Sequence, residues 1–359
     1  MEGSRVSETL TIDSHKGPYS VLFNETALQD LNADLPENTH FIIDKRVAEL
    51  YRDDMPNILS ASSVLLVDAT ETSKSLDKFP AYVQHLVDNQ IRRDHQLIAI
   101  GGGIIQDITC FLAATLLRGV TWKFYPTTLL SQADSCIGSK SSINCGEAKN
   151  ILGTFTPPKE IHIATSFLHT LDERDTRSGV GEMIKVHVID GPLSFDAIAT
   201  DYDRLFLDQD TMVRYVRRAL AIKKSYIEQD EFDQGPRNIF NYGHSFGHAI
   251  EAATKFETPH GIAVTIGMDM ANWIAMKLGV GTQDHYQRMH LTLASNYRGF
   301  DMTPIPIDLF MSSISKDKKN VGAGVTLILP GSDARVSRER YANDDRFRAL
   351  CNEYLEGFR

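Results

Sequence analysis

No CxxC pair, no long apolar stretch and no excess of positive charge occur in this 359-residue chain, and each absence removes a class of function. The four cysteines (Cys110, Cys136, Cys145 and Cys351) are too few and too scattered for a disulfide framework, so reduced thiols are expected. The longest nearly continuous apolar run, Phe111 to Leu117, falls far short of the ~18 residues that a membrane span needs. The opening Met1-Glu2-Gly3-Ser4-Arg5 lacks the charged-then-apolar pattern of an export signal, so a cytoplasmic protein with no membrane partner is expected. A net charge of -10 argues against a general nucleic-acid binder, which shows a basic face. What remains is an ordinary globular composition, 42% hydrophobic and 23% charged, in a chain long enough for two domains. Against the acidic background, Lys140, Lys149, Lys185, Lys223, Lys224, Arg237, Lys318 and Lys319 fall in the motif-bearing segments. That placement suggests a local positive site for a small anionic substrate.

Short apolar runs alternate with longer periodic stretches in the first half. Phe41 to Ile43, Ser63 to Val67 and Leu97 to Ile100 read as buried strands, and Thr121 to Tyr125 and Glu160 to Ile163 add two more. Ala48 to Arg52, Ser73 to Asn89 and Ile104 to Leu117 read as the intervening helices. This βαβ rhythm implies a parallel, doubly wound α/β sheet. Beyond about Ser166 the texture becomes helical: Gly179 to Val188, Thr211 to Gln229, His244 to Lys255, Gly261 to Leu278 and Gln283 to Tyr297, the last with Thr282 as N-cap. Only Val325 to Leu329 looks like a strand there. The expected division is residues 1–168 and 169–359, with a catalytic cleft between the halves.

Two constellations carry chemistry. His244 and His248 are spaced i,i+4, so on a helix both imidazoles leave one face. With His260 and Glu182 they supply enough nitrogen and oxygen donors for a zinc-type site with an open position. An HxxxH pair is more often two ordinary histidines; the nearby glycines and the Glu182/Lys185 pair favour ligation here. The second constellation is Gly101-Gly102-Gly103, between a strand and a helix, followed by Asp107. Glycines there let backbone amides approach a phosphate at a helix N-terminus. They are not the GxGxxG fingerprint, and a tight turn alone would explain them, but the βαβ setting favours dinucleotide binding.

The run from Gly101 through Phe155, together with GEMIK (181–185), KKSYIEQDE (223–231), RNIFNYGHSFGHAIE (237–251) and SKDKKN (315–320), resembles the 3-dehydroquinate synthase family of the sugar-phosphate cyclase superfamily. The motifs span roughly residues 40 to 330, in order. The resemblance implies an N-terminal NAD-binding α/β domain, a helical metal-binding C-terminal domain and a homodimer. It also implies conversion of 3-deoxy-D-arabino-heptulosonate 7-phosphate into 3-dehydroquinate and phosphate in the shikimate route, with NAD used catalytically and a divalent metal, zinc or cobalt. Position by position, Glu182, His244 and His260 match the family's metal ligands, and His248 matches its active-site histidine rather than a ligand. Asp134, Lys140, Lys149, Asn150, Lys185, Lys223, Arg237, Asn241 and Lys318 match substrate-contacting positions. Arg118 matches a residue that reaches a neighbouring subunit's phosphate pocket; without the resemblance it reads as a helix cap. Asp44, Glu71, Lys74, the three glycines, Asp107, Thr127 and Thr128 match positions that hold NAD.

The chain departs from the pattern at Gln106 and Cys110, where small residues are usual, at Ser139, where a second glycine is usual, at Cys145-Gly146-Glu147 and at Ala148. Ser139 and Ala148 border the substrate positions, so an altered substrate is one reading and lineage drift the duller one. An amino-dehydroquinate synthase would keep every residue named. A heptulose 7-phosphate cyclase has no substrate carboxylate for Lys223 and Arg237 to meet. An NAD-dependent polyol dehydrogenase has no use for the phosphate-directed lysines, and a catalytically silent binding protein has none for an intact histidine–carboxylate set.

Overall fold

The computed structural model describes residues 9–146, 148–300, 303–316 and 324–357. They divide into two compact units, Met1–Leu171 with Lys223–Phe232, and Asp172–Ile222 with Asp233–Arg359. No described helix is long and apolar enough to cross a membrane. The four cysteines carry free thiols.

The strands of the first unit are β1 (Thr9–Ile12), β2 (Tyr19–Phe23), β3 (Thr39–Asp44), β4 (Val64–Val67), β5 (Gln96–Gly101), β6 (Thr121–Pro126), β7 (Ile143–Cys145), β8 (Ala148–Leu152) and β9 (Glu160–Ile163). Its helices are α1 (Ala27–Ala33), α2 (Lys45–Leu50), α3 (Pro56–Leu59), α4 (Phe79–Asp88) and α5 (Gly103–Thr115). Seven strands form one sheet in the order β1-β2-β9-β6-β5-β3-β4, parallel except for the β1–β2 pair. Strands β3 and β5 are buried along almost their whole length, as a sheet covered on both faces requires. Phe41, Ile43, Ile98 and Ile100 alternate onto one face and pack with Leu28, Val47 and Phe167. Each such side chain removed from water contributes about 1.5–3 kcal/mol. The chain leaves β3 for β4 on one side, then crosses back to β5 on the other, so the order reverses between β3 and β5. Ligands of doubly wound sheets bind beyond the strand C-termini at such a reversal.

The second unit holds α6 (Glu173–Asp190), α7 (Pro192–Thr200), most of α8 (Gln209–Ile227), α9 (His244–Ala253), α10 (His260–Leu278), α11 (Gln283–Tyr297), α12 (Ile307–Lys316), α13 (Asp345–Gly357) and the antiparallel pair β10 (Gly324–Pro330) and β11 (Val336–Ala342). Helix α10 is the central one: Gly261 through Asn272 are all buried, and a helix apolar on every side belongs in a core. Gly181 of α6 and Gly261 of α10 face each other so closely that a Cβ on either would run into the opposite backbone. That approach sets Glu182 beside His260. Thr282 caps α11 as its sequence predicts, its hydroxyl accepting from the His285 amide at 3.2 Å.

Several sequence expectations are corrected. Ser73 to Asn89 is not one helix. Two 3-10 turns, Glu71–Lys74 and Leu76–Lys78, flank an extended Ser75, and α4 begins only at Phe79 with Pro80 in its first turn. The helix expected over Ala48 to Arg52 lies at Lys45–Leu50, capped by Asp44, whose carboxylate accepts from the Arg46 amide at 2.9 Å. A second strand, β11, follows the one expected in the C-terminal half; its polar sequence VSRERYA hides it. Arg118 does not end the helix: α5 stops at Thr115, and Arg118 stands exposed in a 3-10 turn where Leu117 (φ 51°), Arg118 (φ 68°) and Gly119 (φ 122°) are all left-handed.

Candidate active site

In the first unit the residues expected to hold a dinucleotide collect at the C-terminal ends of neighbouring strands. Asp44 ends β3, Glu71 and Lys74 follow β4, Gly101 ends β5, Gly103 opens α5, and Thr127 and Thr128 follow β6. A Cβ on Gly101 would collide with Ile105, and one on Gly102 would lie 2.9 Å from Thr128, so both positions need glycine for close packing. Gly103 has no such neighbour, which leaves its side of the α5 N-terminus open. The N-terminus of this thirteen-residue helix attracts negative charge. Lys74 is buried and donates to Asp107 Oδ2 and to Asn150 Oδ1, both at 3.0 Å, with Glu71 Oε1 at 3.5 Å. Burial pushes the Asp107 carboxyl up to about 6 against the pull of Lys74.

The segment that follows carries the expected substrate contacts of this unit. Asp134 lies in a single π-helical turn, Ser131–Ser135. Lys223, nearly buried, donates to the Asp134 main-chain oxygen at 2.6 Å and pairs with its carboxylate at 2.7 Å. Asn150 and Lys149 stand exposed on β8, and Lys140 is half-buried. The departures from the family pattern are accommodated rather than left loose. Gln106 donates to the Ser135 carbonyl at 2.6 Å and accepts from the Ser135 hydroxyl at 2.8 Å, bracing the turn beside Asp134. The Cys110 thiol donates to the Thr156 carbonyl at 3.2 Å.

The second unit holds the histidine–carboxylate set. His244 and His260 are the first residues of α9 and α10, and Glu182 sits inside α6, buried, with Lys185 one turn on and also buried. Lys185 donates to Glu182 Oε2. The other oxygen, Oε1, is buried and accepts no hydrogen bond among the described residues. It lies 3.7 Å from His244 Nε2 and 3.4 Å from His260 Nε2. The Nδ1 atoms face elsewhere, His244 toward the Tyr242 carbonyl at 3.2 Å and His260 toward Glu251 Oε2 at 3.3 Å. Tetrahedral zinc with bonds of about 2.0–2.2 Å needs ligand atoms roughly 3.4 Å apart. Both distances from Glu182 Oε1 are close to that spacing, and its unsatisfied, ionised oxygen facing two imidazoles fits a divalent cation. His248 also joins: donor atoms of His244, His248 and His260 lie within 4.8 Å of one another, with His248 exposed and the other two half-buried. Burial alone would raise Glu182, but Lys185 and His260 hold its carboxyl far below the ordinary range. Burial likewise opposes charge on His260, and Glu251 and Glu182 overcome it, raising that imidazole above its usual value. Arg237 is buried and Asn241 half-buried in the turn Pro236–Asn241 of this unit. Lys318 lies outside the described residues.

Two residues that motif spacing does not single out complete these networks. Asn144 accepts from the Asn150 amide at 2.8 Å and donates to Glu71 Oε1 at 2.8 Å. Glu251 faces His260, and its only sequence signal is its place seven residues after His244 on the same helix.

Comparison with known proteins agrees with this architecture. The family model described as 3-dehydroquinate synthase N-terminal matches residues 64–178, and the one described as 3-dehydroquinate synthase C-terminal matches residues 179–320. The 3-dehydroquinate synthase of Thermoanaerobacter pseudethanolicus is 33% identical over 331 residues, 89% of this chain and 93% of that protein. A crystal structure of 2-deoxy-scyllo-inosose synthase complexed with carbaglucose-6-phosphate, NAD+ and Co2+ aligns with a TM-score of 0.80 at 19% identity, covering 98% of this chain and 100% of that one. That of 2-epi-5-epi-valiolone synthase from Streptomyces hygroscopicus with NAD+ and Zn2+ bound aligns with a TM-score of 0.79 at 24% identity, covering 100% and 99%. With both halves matched in order by the family's two models and about a third of the residues shared with a full-length relative, the chain belongs to the 3-dehydroquinate synthase family.

Proposed function

We propose that this protein is a 3-dehydroquinate synthase, an NAD- and metal-dependent lyase that converts 3-deoxy-D-arabino-heptulosonate 7-phosphate into 3-dehydroquinate and phosphate. The observation that carries this reading is the match of both halves to one family, in order and over about nine-tenths of a relative of that name. The site chemistry supports it. Asp44, Glu71, Lys74, Gly101, Gly102, Gly103, Asp107, Thr127 and Thr128 would hold NAD, and Glu182, His244 and His260 a divalent metal, zinc or cobalt. When bound, the pair supplies reversible hydride acceptance and acidification of the substrate alcohol.

The chain's own residues bind and orient. Lys223 and Arg237 meet the substrate carboxylate, where the planar guanidinium suits a bidentate contact. Asp134 holds the Lys223 ammonium, fixing where that charge stands. Lys140, Asn150, Asn241, His248 and Lys318, with Arg118 of a second subunit, surround the phosphate with donors, and Lys149 adds charge nearby. Oxidation at C5 acidifies the C6 proton, which passes to the departing phosphate as the bond to C7 breaks. Return of the hydride, ring opening and an intramolecular aldol then close the carbocycle. Lys185 and His260 favour the ionised form of Glu182.

The competing cyclase reading, a heptulose 7-phosphate substrate, is separated by one comparison. Purified protein with NAD and metal should turn over the heptulosonate phosphate and leave the heptulose phosphate, which lacks a carboxylate, essentially untouched. Preference for the latter overturns the assignment. The dimer is tested by complementation: mixed Arg118→Ala and His248→Ala subunits should regain activity once exchange is verified, and silence of the mixture removes Arg118 from the shared site.

A further inference from the structure

Ser139 stands where the family's second glycine is usual, and it occupies glycine's conformation. Its φ is +66°, immediately after Gly138 at φ +107° and immediately before Lys140. An L-residue is strained in that left-handed region, and serine has no special tolerance for it. Ser139 is also buried, at 4% exposure, so the hydroxyl needs a partner inside the protein. It has one: the Ser139 hydroxyl donates to Glu231 Oε1 at 3.1 Å. Glu231 does not serve Ser139 alone. Its Oε2 accepts from the His15 amide at 2.8 Å, and its Oε1 lies 3.0 Å from His15 Nδ1. The His15 ring packs on Phe232 at 5.2 Å, and Phe232 meets Phe155 edge-on at 5.1 Å. Phe155 in turn bridges to Lys140 through the backbone, while the Ser139 carbonyl accepts from the Thr156 amide. Three segments far apart in sequence, the β1–β2 turn, the residues before Lys140 and the end of the KKSYIEQDE motif, thus meet on one carboxylate. All of them belong to the first unit.

We propose that Glu231, anchored by His15, clasps the Ser139 hydroxyl and thereby positions Lys140 for the substrate phosphate. A glycine adopts the turn without help; a serine there supplies both the strain and the hydroxyl that the clasp holds. Glu231 is a positioning residue, since it acts through Ser139 on its neighbour. The inference rests on the phosphate role given above to Lys140, and its test separates the two. A misplaced cation of even an ångström weakens a phosphate contact without disturbing the cofactor strands.

The experiment is a double-mutant cycle in the full-length protein with NAD and metal. Glu231→Ala should raise both the KM for the heptulosonate phosphate and the inhibition constant of inorganic phosphate about tenfold, with the NAD dissociation constant within about twofold of the parent. Ser139→Gly should raise them about threefold, and adding Glu231→Ala to Ser139→Gly should cost less than about twofold more. His15→Ala, at an exposed turn that endangers folding least, should move the same constants in the same direction. A tenfold penalty in both backgrounds, or a lower Tm with unchanged KM, overturns the clasp. Hydrogen–deuterium exchange over residues 136–143 gives a readout free of activity: it should quicken in Glu231→Ala and Ser139→Ala, and unchanged exchange also overturns the clasp. Failure of the parent to turn over the substrate would instead count against the proposed function.

Discussion

Each unit sets a carboxylate against a buried lysine ammonium, and the two carboxyls shift in opposite directions. In the first, Lys74 lies 3.0 Å from Asp107, yet burial wins and the carboxyl is pushed up to about 6. In the second, Lys185 meets Glu182, burial is again the larger single influence, yet the lysine and His260 together keep that carboxyl strongly acidic. One histidine from each unit shows the same contrast. Burial, with His95 and His85 beside it, lowers His40 of the first unit to about 4, whereas two carboxylates overcome burial and raise His260 of the second. Burial penalises charge everywhere; the sign and number of neighbours decide the outcome. The second unit sets an ionised carboxylate against two imidazoles, which is what a cation site needs, whereas Asp107 of the first faces an ammonium.

Removing the carboxylate should therefore hurt far more in the second unit than in the first. Glu182→Gln removes the charge that faces the buried Lys185 ammonium, a loss of about 3–5 kcal/mol of stability, and turns an anionic donor atom into a neutral amide oxygen. Metal affinity, measured by competition with a chromogenic chelator, should fall at least about 100-fold while NAD binding is retained. The double variant Glu182→Gln/Lys185→Met should recover stability but not metal binding. Recovery of both, or near-parental metal affinity in the single variant, would break the comparison.

Asp107→Asn should be milder, because Glu71 still faces Lys74. We expect about 1–1.5 kcal/mol of lost NAD affinity by fluorescence titration, of the size of one charge-assisted hydrogen bond. In the parent, affinity should rise as pH increases through about 6, because the ionised carboxylate holds Lys74 in place. Asp107→Asn should abolish that step, and a step that survives the substitution belongs to another group.

The smallest effect concerns stability at acid pH. With its folded pKa at about 4, below the 6.5 of a free imidazole, His40 binds its proton more readily in the unfolded chain. The stability it contributes is complete above pH 6.5 and is lost as pH falls toward 4. His187 and His285, lowered to about 4 by burial first of all, act in the same direction. His40→Gln should flatten the fall of Tm between pH 6.5 and 4 without erasing it. An unchanged slope would show that its neighbours do not set its charge.

Much of this was legible in the residues. Strands such as Phe41–Ile43 and Leu97–Ile100 announce themselves because burial on both faces demands unbroken apolar runs, and the helices around His244 and His260 follow from a 3.6-residue period. Elements whose residues are half-solvated escaped: β1 has four residues with one buried, and β11 is almost wholly exposed. The Ser73 to Asn89 stretch misleads because helix propensity ignores the extended Ser75 and the first-turn preference of Pro80. For the site, i,i+4 spacing shows His244 with His248, but not that Glu182 arrives through the glycine-to-glycine crossing of α6 and α10. Asn144, Glu251 and Glu231 act through tertiary neighbours, and no local pattern encodes those.

The central claim is that the hydride taken from the substrate is given back. The direct test supplies the heptulosonate phosphate in large excess over NAD, adds a divalent metal, and follows phosphate, dehydroquinate and NADH absorbance together. Phosphate and dehydroquinate should appear in equal amounts, many turnovers per NAD, with no net NADH accumulating. NADH formed one-for-one with substrate consumed, and turnover stopping when NAD is spent, would contradict the account and mark the protein as a simple dehydrogenase.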